Sequence, residues 1–306
     1  MRVTRRKLIT SASAGFAAAA LSPRLAWATS EVSLGAMRIT TLRDGSITQP
    51  ADFMYDPMDQ DALAQWLAVR GMARDAALNP DCNVTLLRHE GRTILFDAGS
   101  GSGFTATAGD LPDALAAAGV DPGEITHVVF THGHADHLWG VLDDFEEPFF
   151  PNAEHLMGRT EFDFWYDPTT VDTISADRQG MAVGAKRRLD VMADRFTLFE
   201  DGEEILPGIA ARATHGHTPG HMSFEVRDGG ESVMVVGDAI LNHHLSFDHP
   251  DWPLGADADR TMAAATRAAL MDQLASDQML MIGFHLPDGG LGRVERAGGA
   301  FRFVPA

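Results

Sequence analysis

Thr126-His127-Val128-Val129-Phe130-Thr131-His132-Gly133-His134-Ala135-Asp136-His137 is the stretch on which the reading of this chain turns. Its first half is short, β-branched and aromatic, the composition of a buried β-strand. Its second half sets three imidazoles and a carboxylate at the carboxyl mouth of that strand. Free histidines rarely crowd together without a cation to share, so the cluster points to a metal site; a polar loop with histidines grouped by chance is the bland alternative. A catalytic Zn²⁺ takes about three protein ligands plus water, so a set of this size can serve more than one cation.

Three further apolar runs end in the same way. Gly208 to Ala213 leads into Thr214-His215-Gly216-His217-Thr218-Pro219-Gly220-His221. Val233-Met234-Val235-Val236-Gly237 stops at Asp238, and Met279-Leu280-Met281-Ile282-Gly283-Phe284 stops at His285. In layered α/β proteins, sites gather where strands present their carboxyl ends and loops converge. A pattern that recurs at four separate strand ends is hard to assign to chance. Spacing alone leaves open which of His215, His217 and His221 is the ligand. His127 reads as a core histidine inside its strand, His89 and His155 carry no site signal, and His243, His244 and His249 read chiefly as loop residues.

Taken together, the HxHxDH stretch, the His217-Thr218-Pro219-Gly220-His221 loop, the Gly237-Asp238-Ala239 strand end and the late His285 resemble the metallo-β-lactamase fold superfamily. The resemblance runs from about Val32 to the C-terminus, and Gly283 to Pro287 through Phe301 to Pro305 is similar to the methyl parathion hydrolase branch. It implies an α/β (α+β) αββα sandwich, two sheets face to face with helices outside, forming one domain of two similar halves over residues 29–306. It also implies two metals. His132, His134 and His217 would hold the first, Asp136, His137 and His285 the second, and Asp238 would bridge them with a hydroxide. Asp97, at the end of the strand Thr93–Phe96, and His221 would support the ligands from behind. Imidazole and carboxylate donors without a thiolate suit zinc first, with cobalt, manganese or iron as alternatives.

The reaction implied is hydrolysis of a neutral ester, an aromatic lactone or an organophosphate triester. Asp238 would position the hydroxide, and Asp238 or Asp136 would move the proton. Acyl-homoserine lactonases of the superfamily typically carry a tyrosine three residues after the bridging aspartate, where this chain has Leu241, so that activity ranks as the alternative. A glyoxalase II-like thioesterase shares the ligand pattern, whereas a zinc β-lactamase would have Cys or Ser in place of Asp238. A non-catalytic zinc-dependent binding protein is the alternative of another class. Trp165, Phe149 and Phe150 are the candidates for an aromatic substrate pocket, set against plain core packing. The turn Gly99-Ser100-Gly101-Ser102-Gly103 lacks the Gly-Lys-Ser/Thr ending of a nucleotide loop.

Thr4-Arg5-Arg6-Lys7-Leu8-Ile9, an Ala-rich stretch and Ala26-Trp27-Ala28 read as a twin-arginine signal peptide over residues 1–28. A periplasmic or secreted protein that has met the twin-arginine export machinery is expected, with no membrane anchor after cleavage. Those residues carry five basic and no acidic side chains, so their removal takes the formal charge from −19 to −24. So negative a surface argues against nucleic acid and anionic membranes as partners. A small-molecule ester, lactone or organophosphate is the expected partner, and the branch resemblance adds a homodimer. The single cysteine, Cys82, reads as a buried small apolar residue. Helices are expected over Asp110 to Ala118 and over Asp257 to Ala275, the second entered through Asp257 or Asp259.

Overall fold

The computed structural model describes residues 28–306; the twin-arginine stretch within residues 1–27 lies outside the described residues. The strands of the first half are β1 (Ala28–Leu34), β2 (Met37–Ser46), β3 (Asp81–His89), β4 (Arg92–Phe96), β5 (His127–Phe130), β6 (Glu154–Gly158) and β7 (Phe196–Phe199). Those of the second half are β8 (Glu204–Leu206), β9 (Ile209–Ala213), β10 (Met222–Asp228), β11 (Glu231–Gly237), β12 (Leu280–Gly283), β13 (Leu291–Ala297) and β14 (Ala300–Pro305). Between them run α1 (Ala51–Tyr55), α2 (Gln60–Arg70), α3 (Leu111–Ala117), α4 (Ala135–Leu138), α5 (Arg159–Tyr166), α6 (Thr170–Thr173), α7 (Gln179–Met192), α8 (Leu245–Asp248) and α9 (Arg260–Asp277).

Each half of the chain makes its own sheet, with β1 to β7 in sequence order in one and β8 to β14 in sequence order in the other. The central strands have side chains that alternate between two apolar surroundings. In β5, Val129 faces the layer between the sheets, while Val128 and Phe130 face the outer layer under α3, α5 and α7. In β11, Val233 and Val235 enter the inter-sheet layer, and Met234 and Val236 pack beneath α9. Burial on both faces is why these strands read as continuous apolar runs. The expected αββα sandwich of two similar halves is the observed architecture.

The hairpin of β3 and β4 turns at Glu90 and Gly91, both at positive φ (48° and 77°), the geometry that suits a two-residue turn. The helix expected over Asp110 to Ala118 runs Leu111–Ala117. The one expected over Asp257 to Ala275 is α9, entered through Asp259, whose side chain accepts the Met262 N–H at 2.9 Å. Asp257 is not the cap; it turns inward. Among the described residues no helix is long and apolar enough to cross a membrane.

His155 is a histidine in the role of a core side chain. It is fully buried on β6, stacked on Phe130 with the ring centroids 6.3 Å apart. Burial, joined by the charge of Arg195, pushes its pKa down to about 4. The unfolded chain takes up a proton near pH 6.5 that the folded ring refuses, so this contribution is complete above pH 6.5 and fades as pH falls towards 4. The difference is worth roughly 3 kcal/mol. In His155→Phe, urea unfolding of metal-free protein at pH 7 and pH 4.5 should show a smaller acid loss than in the parent chain; an equal loss contradicts this account.

Candidate metal centre

Parallel neighbours place two carboxyl ends side by side, and each sheet has such a pair at its middle. β4 runs parallel to β5 in the first sheet, and β11 parallel to β12 in the second. Asp97 and the His132 to His137 segment follow the first pair; Asp238 and His285 follow the second. Stacking the sheets brings the four ends to one edge, and the β9–β10 loop adds His217.

There the side chains form two adjoining groups. His134 Nδ1 lies 3.0 Å from His132 Nε2 and 3.0 Å from His217 Nε2, and Asp238 Oδ2 completes the group at 3.3 Å from His217 Nε2. In the second, His285 Nε2 is 3.1 Å from Asp136 Oδ2, and His137 Nε2 is 3.7 Å from the same oxygen. Asp238 reaches both, with Oδ1 3.3 Å from His137 Nε2 and Oδ2 3.4 Å from His285 Nε2. Tetrahedral ligands at zinc-nitrogen bond lengths stand about 3.3 Å apart, so these separations fit donors around shared cations.

Hydrogen bonds behind the cluster decide which ring nitrogens face inward. The Thr131 hydroxyl donates to Asp97 Oδ2 at 2.9 Å, so it accepts from His132 Nδ1–H at 3.0 Å and leaves Nε2 with its lone pair. Asp97 also accepts from the Thr131 N–H at 2.7 Å and from His137 Nδ1–H at 2.8 Å. His285 Nδ1–H donates to the Asp81 carbonyl at 2.7 Å. His217 Nδ1–H donates to Asp257 Oδ1 at 3.1 Å, and the other Asp257 oxygen is paired with buried Arg267 at 2.6 Å. His221 points away from the cluster's centre: its Nε2 accepts the Asp238 N–H at 3.0 Å and its Nδ1 meets Thr214 Oγ1 at 2.8 Å. Gly237 must be glycine for this, since its φ is +52° and a Cβ would sit 2.7 Å from His221 Nε2.

Burial holds His132 and His134 neutral, well below the usual imidazole range, the form in which a ring nitrogen binds a metal. Burial also opposes charge on His137, but Asp238, Asp136 and Asp97 outweigh it and push it up to about 10. For Asp136 and Asp238, burial favours the neutral acid, yet the neighbouring histidines win and hold both carboxyls below the usual range. Asp136 Oδ2, His137 Nε2 and Asp238 Oδ1 are buried without a hydrogen-bond partner while facing one another. Orphaned donors and acceptors of this kind in a His/Asp cluster are what a pair of divalent cations would satisfy. The residues fit the group.

The pocket expectation needs correction. Phe150 is wholly buried in the outer core under α7, and Phe149 packs against that core and borders a small hollow beside Gly101 and Gly140. Trp165 is 3% exposed, stands edge-on to the His134 ring and donates to Glu161 Oε1 at 2.6 Å. The large cavity, about 970 Å³, lies instead beside the His217 loop, where His215, Gly216 and Pro219 line it with Phe53, Phe164 and Arg178. Cys82 is buried as expected, but its thiol sits within the Asp136 and His285 group, and burial pushes its pKa up to about 12. Two buried carboxylates beside the cluster carry no site motif in the sequence: Asp257, one of two candidates for the cap of α9, and Glu161, on α5. Glu161 and Trp165 stand one turn apart, so a carboxylate on the buried face of an amphipathic helix was the available signal.

The sequence profile of the Metallo-beta-lactamase superfamily matches residues 79–281, and the chain belongs to that superfamily. The N-acyl homoserine lactonase AttM of Agrobacterium fabrum is 29% identical over 141 residues, 45% of this chain and 48% of the relative. The probable metallo-hydrolase YflN of Bacillus subtilis is 29% identical over 126 residues, 39% of this chain and 46% of that protein. The chain thus spans about half the length of the curated relatives it matches. Among solved structures, AidC, a dizinc quorum-quenching lactonase in complex with its product N-hexnoyl-L-homoserine, has 25% identity and a TM-score of 0.82, covering 90% of this chain and 97% of that one. The hydrolase AbOPH has 27% identity and a TM-score of 0.82, covering 90% and 96%.

Asp257 carries both an electrostatic load and a ligand. Asp257→Asn leaves the fully buried Arg267 guanidinium without its counter-charge, a loss of about 3–5 kcal/mol. Urea unfolding of metal-free protein should show it, and the double variant Asp257→Asn/Arg267→Met should lose less than the single one.

Proposed function

We propose that the protein is a dinuclear metal-dependent hydrolase that opens the ring of N-acyl homoserine lactones. The observation that carries this reading is the buried set of seven His and Asp side chains, converging as two groups on a scaffold shared over nine-tenths of the chain with a dizinc lactonase. His132, His134 and His217 would hold one ion, and Asp136, His137 and His285 the other. Asp238, with one oxygen towards His137 and the other towards His217 and His285, would touch both. Divalent ions there supply Lewis acidity towards the carbonyl oxygen and acidify water at neutral pH.

The chain's own residues do the rest. Asp238 orients the attacking water and takes its proton, with Asp136 as the second acceptor. Leu241 is buried among α1, α2 and their neighbours and offers no hydroxyl, and Tyr55 is buried in the same cluster. The proton for the leaving alkoxide therefore comes back from Asp136 or Asp238. Phe53, Phe164 and Ile174 line the cavity beside the His217 loop and suit an acyl chain. Arg178 lines it too; its Nη2 donates to the Gly255 carbonyl at 2.6 Å and the Asp257 carbonyl at 3.4 Å, and its other N–H groups would donate to the substrate's amide oxygen. The aromatic pair Phe53 and Phe164 favours a second reading, hydrolysis of aryl esters or of phosphotriesters such as methyl parathion.

Metal-quantified protein should hydrolyse N-hexanoyl homoserine lactone, followed by proton release. Chelation should abolish turnover and Zn²⁺ or Co²⁺ restore it, while His132→Ala/Asp238→Ala should lose about a thousandfold or more. Faster turnover of p-nitrophenyl esters or methyl parathion than of any lactone would move the assignment to the second reading. No turnover of any of these by protein holding both metals would leave a binding module. We further propose that the protein is exported by the twin-arginine route; changing Arg5 and Arg6 to lysine should then leave the precursor inside the cell in fractionation.

A further inference from the structure

We propose that Glu161 is a positioning residue that clamps the two loops bearing His132, His134 and His217, setting the affinity of that three-histidine group for its metal. The proposal rests on the metal-site reading, not on the identity of the substrate. Glu161 is fully buried on the first turn of α5, between the loop after β5 and the loop after β9. Its Oε1 accepts the Gly133 N–H at 2.8 Å and the Trp165 indole N–H at 2.6 Å. Its Oε2 accepts the Thr218 hydroxyl at 2.7 Å and the Gly220 N–H at 2.9 Å. Gly133 separates His132 from His134, and Thr218 follows His217 directly. One carboxylate therefore holds both loops by positions adjacent to the ligands, across a separation of more than eighty residues in the chain.

Packing leads to the same conclusion independently. A Cβ at Gly133 would lie 2.4 Å from the Trp165 ring, and one at Gly220 would lie 2.2 Å from the Glu161 backbone nitrogen. Both loops are pressed onto α5 as closely as a backbone can approach. The need for such a clamp follows from the cluster itself. Its three ring nitrogens, with His134 Nδ1 3.0 Å from His132 Nε2 and from His217 Nε2, come from two separate loops, so their spacing holds only while those loops are fixed to each other. A site held open at the wrong spacing binds its ion weakly however good its donors are. The second group is held differently, by Asp97 behind His137 and the Asp81 carbonyl behind His285, and the four hydrogen bonds of Glu161 all go elsewhere.

The test measures the two metals separately, by stepwise chelator competition on the Zn²⁺ protein and by the visible spectrum of the Co²⁺ protein. Glu161→Gln sets an amide NH₂ against the Gly133 and Trp165 N–H groups in one orientation and against the Gly220 N–H in the other, where the Thr218 hydroxyl can turn to accept. We expect it to weaken one metal equivalent by about 10- to 100-fold and to leave the other near its original affinity. Glu161→Asp, which keeps the charge on a shorter arm, should recover part of that loss. Equal affinities in Glu161→Gln and the parent chain, or a parallel fall at both sites, overturns the proposal; a role confined to fold stability would lower only the unfolding midpoint of metal-free protein. Should Glu161→Gln fail to fold, Thr218→Val removes one of the four donors and leaves the carboxylate in place. A selective fall at one metal supports the clamp, and unchanged affinities overturn it. These readouts are independent of turnover, so failure of the lactonase assignment would not be mistaken for failure of the clamp.

Discussion

Three carboxylates, Asp97, Asp136 and Asp238, lie buried around the single imidazole of His137, and accommodating so much negative charge there is the constraint to which the rest of the structure answers. Ionised groups out of water are costly unless each meets an opposite charge or several donors. Asp97 meets Thr131 and His137, Asp238 meets four imidazoles and its own N–H is held by His221, and Asp136 faces His285. The balance is incomplete in the protein alone, since atoms of Asp136, His137 and Asp238 are left without partners. An edge that assembles anions this closely is built to be completed by cations.

That constraint also explains the arrangement of the halves. An antiparallel pair sends its carboxyl ends in opposite directions, so a sheet of hairpins delivers one loop to a given edge at a time. Each sheet here is antiparallel along β1 to β4 or β8 to β11 and then switches, at β4–β5 and β11–β12, to a parallel pair. The switch is where Asp97 meets the His132 to His137 segment and Asp238 meets His285. Gathering seven ligand-type side chains needs both switches, which is why neither half would make the site alone.

The seven side chains that converge were legible because their signal is local. Each follows an apolar run with strand composition, and four sit within one hexapeptide. The sandwich was legible by resemblance, and the alternating environments along β5 and β11 account for the runs that support it. The groups that orient the ligands were not legible in the same way. Asp257 lies 40 residues from His217, in an acidic stretch where a helix cap was the natural reading, and its partner Arg267 lies a further 10 on. Glu161 is bonded to residues 28 and 59 positions away. Nothing in a single sequence ties such distant carboxylates to a loop; only packing does. Leu241 sets one residue against a lactonase, whereas the lactonase AidC, 25% identical, shares the fold along nearly its whole length.

The inward turn of Trp165, onto His134 and Glu161, has a geometric cause that bears on the shape of the site. Residues four apart share a face of a helix, so an α5 that turns Glu161 into the cluster must turn Trp165 in with it. The adjacent Phe164, about 100° further round, then falls on the side of the open cavity. One short helix thus divides its labour by angle: the 161/165 face fixes the ligand loops and the 164 face borders the space for substrate. The Phe164 side chain makes no hydrogen bond to the loops and meets the clamp only through its edge-on contact with the Trp165 ring, whereas changes at Trp165 remove one of the four donors that Glu161 needs. Substrate preference in this fold is therefore free to drift at positions that leave the metal geometry untouched, and the ligand set by itself says little about which ester is cleaved.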